Sequence, residues 1–341
     1  MLEAPALQVE RVSRHHRHMT SVGRPWLASR RTCLTVPGGS ERFVAKAADT
    51  DPDELIFDLE DSVAPTAKEQ ARSLVAAAVA GNPRSAQAGT PATKPLLAVR
   101  INGATTEWAY RDVIEVVESA GPRLDAIVLP KVSDPSHVAW LDLLLGQLER
   151  AGRLPAGRIA IEAQIEDAAG LAAVRQIAVA SRRLAALIFG PADFMASVGM
   201  RSLRIGARPD GYTRGDAFHY ALMHILVAAR AAGLQAIDGP YAAIGDIDGL
   251  QDAAANAAAL GYDGKWVVHP GQIDAVNAAF SPGQAEYDRA EGILDAYEHA
   301  TSVESRGAVV FDGEMIDEAS RKLALVVAAR GRAAGMMRTT A

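Results

Sequence analysis

Eight short apolar runs, rich in β-branched residues and separated by longer alanine-rich stretches, constrain this chain more than any other feature. They are TCLTVPG (32–38), ELIFDLED (54–61), LLAVRIN (96–102), DAIVLPKV (125–132), RIAIEAQIED (158–167), LAALIFGPAD (184–193), LQAIDGP (234–240) and GKWVVHP (264–270). Runs that are apolar almost throughout, rather than alternating, are the pattern of strands buried on both faces of a parallel sheet. The stretches EWAYRDVIEVVESA, DPSHVAWLDLLLGQLER and FHYALMHILVAARAAG carry apolar residues at i, i+3, i+4 spacing and read as helices between the strands. Eight such units predict closure into a (β/α)8 TIM barrel, with an open doubly wound sheet as the alternative.

The barrel is expected over 28–282. Residues 1–27, which include RVSRHHRHM, are expected to form a flexible leading segment to which no role is assigned. Residues 283–341 exceed what a barrel needs and read as a helical extension: a helix near 283–301, a linker RGAVVFDGEMID and a final helix near 318–335. A chain of 341 residues, 49% hydrophobic, can bury a large core. Its net charge of −6 supplies no electrostatic reason to expect a nucleic-acid partner. One cysteine, Cys33, excludes an internal disulfide framework and fits a reducing compartment. No apolar stretch reaches the roughly 18 residues of a membrane span, and the N-terminus lacks an apolar signal core. A cytoplasmic enzyme with a small-molecule partner and no membrane contact is the expectation.

The polar residues are concentrated at the ends of the runs. DLEDSVAP places Asp58, Glu60 and Asp61 together, where like charges repel unless cations offset them. The other ends carry Arg100, Lys131, Glu166 with Asp167, Asp193, Asp238 and His269. In a barrel these converge on one mouth, the end where such folds carry their chemistry. Taken singly, each is equally a helix cap or a solvated loop charge. Carboxylates without a cysteine or histidine set favour a hard cation, so Mg²⁺ is expected, with Mn²⁺ as a substitute. His219 and His224 lie five apart on a helix and His137 in a loop, which is no zinc-like set. Gly38-Gly39, followed by Ser40, Arg42 and Lys46, comes directly after the first run; its amides and basic groups could hold phosphate oxygens, or form a plain β/α turn.

The strings VPGGSERFVAKAA, FDLEDSVAPTAKEQAR, VRINGATTEWAYRDV, IVLPKV, EAQIEDAAGL, FGPADFMASVGM, IDGPYA and KWVVHPGQI occur in this order between residues 36 and 273, within a resemblance that covers residues 31 to about 335. With them the chain resembles the HpcH/HpaI aldolase/citrate lyase β-subunit family, and the VRINGATTEWAYRDV and ADFMASVGM strings resemble its L-malyl-CoA/β-methylmalyl-CoA lyase branch. The resemblance implies a metal-dependent carbon–carbon lyase that splits a 3-hydroxyacyl-CoA dicarboxylate into glyoxylate and acetyl-CoA or propionyl-CoA. Citramalyl-CoA cleavage, malyl-CoA thioester hydrolysis and a 2-oxo acid aldolase that does not use CoA are the alternatives. It further implies that Glu166 and Asp193 hold Mg²⁺, that Arg100 contacts the reacting oxyanion, and that Asp317 of GEMIDEAS exchanges a proton with the acyl-CoA carbon. Arg31, Arg42 and Lys46 would lie by the CoA phosphates, and Glu60 and Asp61 would accept hydrogen bonds from water on the metal. Two departures stand out. Ser40 takes a position where many relatives have Arg, and Pro191 removes an N–H, leaving the amides of Ala192 and Asp193 for the oxo-acid carboxylate. The extension is implied to act as a lid reaching a neighbouring subunit of a homotrimer or homohexamer.

Overall fold

Parallel strands cannot be joined by tight turns, so each needs a crossover long enough to hold a helix. The computed structural model describes residues 30–82, 95–207 and 209–339, and within them the apolar runs are strands in this relation. The strands are β1 (Thr32–Pro37), β2 (Glu54–Asp58), β3 (Leu96–Arg100), β4 (Ala126–Leu129), β5 (Ala160–Ile165), β6 (Leu184–Phe189), β7 (Gln235–Asp238) and β8 (Gly264–Val267). They pair in sequence order, and β8 pairs with β1 at Thr32↔Lys265 and Cys33↔Trp266. That last pairing closes the sheet, making it a (β/α)8 TIM barrel and excluding the open sheet.

Helices α1 (Glu41–Ala47), α2 (Lys68–Gly81), α3 (Ala109–Ala120), α4 (Pro135–Ala151), α5 (Ala168–Ile177), α6 (Pro191–Ser197), α7 (His219–Ala232), α8 (Ile247–Leu260) and α9 (Ile273–Phe280) follow the strands. The main core lies between strands and helices, through residues such as Leu34, Phe57, Val99, Leu141, Ile161 and Leu187. Inside the barrel the side chains are small: Ala98, Ala126, Ala160 and Ala186 surround Ile56, Ile188, Ile237 and Trp266. An eight-stranded barrel leaves room for little more. Its lower end is closed by Arg30, wholly buried, which donates to Glu54, Glu162 and Gln235.

Beyond α9 the chain forms α10 (Gln284–Ser302) and α11 (Glu318–Ala333), which pack through Ala290, Ala324 and Ala328. The stretch RGAVVFDGEMID is not a bare linker: Val309–Phe311 (β9) and Glu314–Ile316 (β10) pair as an antiparallel hairpin around Asp312 and Gly313. The cause is a two-residue turn with both φ positive, 48° and 79°, a twist that suits a hairpin. The hairpin stays against α10, where Gly292 leaves room for the Phe311 ring. Arg330 ties α11 to the barrel by donating to Tyr262 O at 2.7 Å. His137, expected in a loop, lies in the first turn of α4 behind the Asp134 cap. The expected leading segment 1–27 lies outside the described residues. Among those described, no helix is long and apolar enough to cross a membrane.

Candidate active site

β2 ends at Asp58, whose carboxylate accepts from Glu60 N at 2.9 Å and Ser62 N at 3.2 Å, folding DLEDS back on itself. Arg100 ends β3 in register with Asp58 and meets it through two parallel hydrogen bonds, Nε to Oδ1 at 2.7 Å and Nη2 to Oδ2 at 2.8 Å. Burial raises the Asp58 carboxyl, but the charge and hydrogen bonds of Arg100 outweigh it and hold it below the usual range. The remaining nitrogen, Nη1, stands 3.1 Å from Glu60 Oε2, and the Trp266 ring lies 5.2 Å from the guanidinium. Lys68 donates to the carbonyls of Leu59 and Glu60, so the crowded loop is pinned from its inner side.

Lys131 follows β4 and reaches the same place. Its N–H donates to Glu166 Oε1 at 2.6 Å, and its ammonium donates to Glu60 and Asp61 and stands 3.7 Å from Asp193 Oδ2. Burial lowers the ammonium's pKa, but the bond to Glu60 and the charges of Glu60, Asp61 and Asp193 raise it further than burial lowers it. The repulsion among Asp58, Glu60 and Asp61 is thus offset by Arg100 and Lys131.

Glu166, just past β5, is 2% exposed and also accepts from Gln164 Nε2 at 2.6 Å. Burial, then the charge of Glu60, pushes its carboxyl up to about 8, against the pull of Arg100. Its space is kept by Gly190: a Cβ there would stand 2.4 Å from Glu166 Cβ and 2.5 Å from Oε2. Asp193 lies in the first turn of α6, behind Pro191 at the start of the helix, with the Ala192 N–H beside it. The structure therefore brings Glu60, Asp61, Arg100, Glu166 and Asp193 to one mouth. The donors are all oxygens, and a buried carboxylate whose ionisation two neighbours oppose is stabilised by any cation that joins them. Among the described residues no three-ligand cage of His, Cys, Asp or Glu is present, so such an ion would be held by few protein groups and completed by water or substrate. A cleft of about 290 Å³ opens against Glu60, Asp61 and Lys131 and runs past Lys68 to Trp108.

Other expected residues fall elsewhere. Arg31 is a correction: it precedes β1, at the end of the barrel opposite the mouth, and its fork is closed on Asp53 at 2.8 and 2.9 Å. A strand of this length separates it from the mouth by about 20 Å, so it does not face a CoA held there. Arg42 and Lys46 lie exposed on α1, which starts at the mouth behind a Ser40 cap. Asp317 caps α11, its Oδ1 accepting from Ala319 N and Ser320 N at 2.9 and 3.0 Å and from the Ser320 hydroxyl at 3.3 Å, all within that turn. The Ser320 amide first, then that of Ala319, holds its carboxyl below the ordinary value. Asp167 and His269 act as caps, Asp167 on α5 and His269 by accepting from Gly271 N, whereas Asp238 is neither a cap nor a solvated charge but is buried and paired with Lys265. Sequence reasoning brought Asp58 and Lys131 to the mouth without giving either a task, and it missed Lys68 altogether. The available signal was charge balance, since three carboxylates within four positions require cations and Arg100 is only one.

The family model for HpcH/HpaI aldolase/citrate lyase matches residues 31–270, most of the barrel. The chain belongs to that family. It is 38% identical over 300 residues to an L-malyl-CoA/β-methylmalyl-CoA lyase of Cereibacter sphaeroides, covering 85% of this chain and 91% of the relative. To the citrate lyase subunit beta of Haemophilus influenzae it is 33% identical over 290 residues, covering 84% and 92%. The crystal structure of protein CitE from Mycobacterium tuberculosis, in complex with magnesium, acetoacetate and coenzyme A, superimposes with a TM-score of 0.68 at 29% identity, over 90% of this chain and 99% of that one. Family membership makes this chain a carbon–carbon lyase.

Proposed function

We propose that the protein cleaves, and in reverse forms, L-malyl-CoA or β-methylmalyl-CoA, giving glyoxylate and acetyl-CoA or propionyl-CoA. The observation that carries this reading is the meeting of Arg100 with Glu60, Glu166 and Asp193 at one barrel mouth. The identity of 38% to a lyase of that name and the magnesium and coenzyme A of the CitE structure support it. Glu166 and Asp193 would hold Mg²⁺, or Mn²⁺ in its place, while Glu60 and Asp61 orient its water. Bound there, Mg²⁺ would supply Lewis-acid polarisation of the oxo-acid oxygens.

Splitting the carbon–carbon bond moves charge from an alkoxide to a thioester enolate. Arg100 is suited to the enolate oxygen, because Asp58 fixes its plane through Nε and Nη2 and leaves Nη1 beside Glu60, with no hydrogen bond to Asp58. The amides of Ala192 and Asp193 would take the oxo-acid carboxylate. Arg42 and Lys46 are assigned to the CoA phosphates, without Arg31.

Asp317 is assigned the proton exchange with the acyl-CoA carbon, acting on a neighbouring subunit of a homotrimer or homohexamer. Exposed Val310, Met315 and Leu323 on the extension, residues 283–341, support a neighbour packing against it. Closure by such a lid would exclude water from the enolate. We place the reaction in the cytoplasm, in keeping with the lone, buried thiol of Cys33.

A panel of malyl-CoA, β-methylmalyl-CoA and citramalyl-CoA with Mg²⁺, resolving free CoA from acetyl-CoA and propionyl-CoA, tests the reading. Glyoxylate with acetyl-CoA or propionyl-CoA is expected. Free CoA without acetyl-CoA would assign a thioesterase, pyruvate a citramalyl-CoA lyase, and turnover of free acids alone an aldolase.

A further inference from the structure

Lys131 stands in the middle of the mouth with a φ of 52°, in the left-handed region that residues with a Cβ avoid. Such a conformation persists only where its surroundings enforce it, and here it aims two donors at once. The N–H fixes Glu166, while the side chain crosses to Glu60, Asp61 and Asp193. One residue therefore touches both carboxylates assigned to the metal.

Three cations serve this mouth, and they differ in how they are held. Arg100 is locked to Asp58 by two hydrogen bonds, and Lys68 is bound to two main-chain carbonyls. Lys131 has only carboxylates for partners, and its side chain is 42% exposed. A compact ammonium on a flexible stem can leave without breaking any bond of the fold.

We propose that Lys131 is a tethered counter-cation: its ammonium neutralises Glu60, Asp61 and Asp193 when no divalent ion is held, competes with that ion for them, and so sets the metal affinity. The inference rests on the Mg²⁺ reading above. Lys131 is thereby a positioning residue, acting through the carboxylates.

Calorimetric titration of Mg²⁺ into chelator-stripped protein, without substrate, separates the possibilities. Lys131→Asn and Lys131→Met remove the charge, and Asn tolerates the left-handed backbone if Met does not fold there. Both are expected to bind Mg²⁺ about fivefold or more tightly than wild type at low ionic strength, because a like charge has gone. Lys131→Arg keeps the charge and should stay within about twofold. In EDTA the neutral variants should melt lower than wild type and recover on adding Mg²⁺. A lysine that only braced its turn would, when removed, lower stability and Mg²⁺ affinity together; Lys131→Asn binding no tighter than wild type would overturn the proposal. A wild type that does not bind Mg²⁺ at all would overturn the metal assignment, and this inference with it.

Discussion

Asp58 and Arg100 face each other across the β2–β3 register and are joined by hydrogen bonds of 2.7 and 2.8 Å. A bidentate pair of this kind fixes the plane of the guanidinium as well as its position. Lysine would keep the charge and lose the fork. Arg100→Lys is therefore expected to lower kcat by a factor on the order of 10² or more, the scale of losing an oxyanion donor. Steady-state kinetics beside a melting curve measure this. Near-normal kcat with a lowered Tm would leave Arg100 a purely structural role.

Glu166 makes metal-free stability depend on pH with a definite sign. Its folded value is pushed up to about 8 from an ordinary 4.5, so between those limits the folded state binds more protons than the unfolded state. Stability of the EDTA-treated protein should fall as pH rises through that window and level off above it. Glu60, also raised by burial, acts in the same direction. Glu166→Gln should flatten most of the slope, and Mg²⁺ should counter it in wild type. Melting curves from pH 6 to 8.5 decide this, and a wild-type Tm that climbs with pH would contradict it.

Gly190 has a φ of −105°, which any residue adopts, so what it protects is space rather than backbone freedom. Gly190→Ala would drive a methyl group into Glu166. The expected cost is about 1–3 kcal/mol in denaturant unfolding, the usual range for overpacking. The displaced carboxylate should also raise the Mg²⁺ concentration needed for half-maximal rate by about tenfold or more, the scale of disturbing a ligand's support. An unchanged Mg²⁺ requirement would show that the carboxylate finds its place by another route.

Asp317 caps α11, and Asn is as good a cap, so Asp317→Asn should remain folded while losing its ionisable group. Mixed with Glu166→Ala protein under subunit exchange, it should regain partial activity, since some mouths would combine an intact Glu166 with a neighbour's intact Asp317. Verified mixed oligomers as inactive as their parents would confine Asp317 to capping.

The sequence by itself determined the eight strands, the helices between them and the end at which the charges gather. Those features rest on consecutive residues: an apolar run long enough for a doubly buried strand, and i, i+3, i+4 spacing for a helix. Local order likewise places Asp317 at the head of α11. Only the tertiary structure decided which charges meet. Asp58 finds Arg100 because β2 and β3 pair in one register, and Lys131 reaches Glu60 and Glu166 because a left-handed residue turns it across the mouth. Arg31 shows the reverse, since it lies close in sequence to Arg42 yet closes on Asp53 at the other end of β1. Closure of the barrel sets these distances, and closure depends on the strands together, so no single segment encodes them.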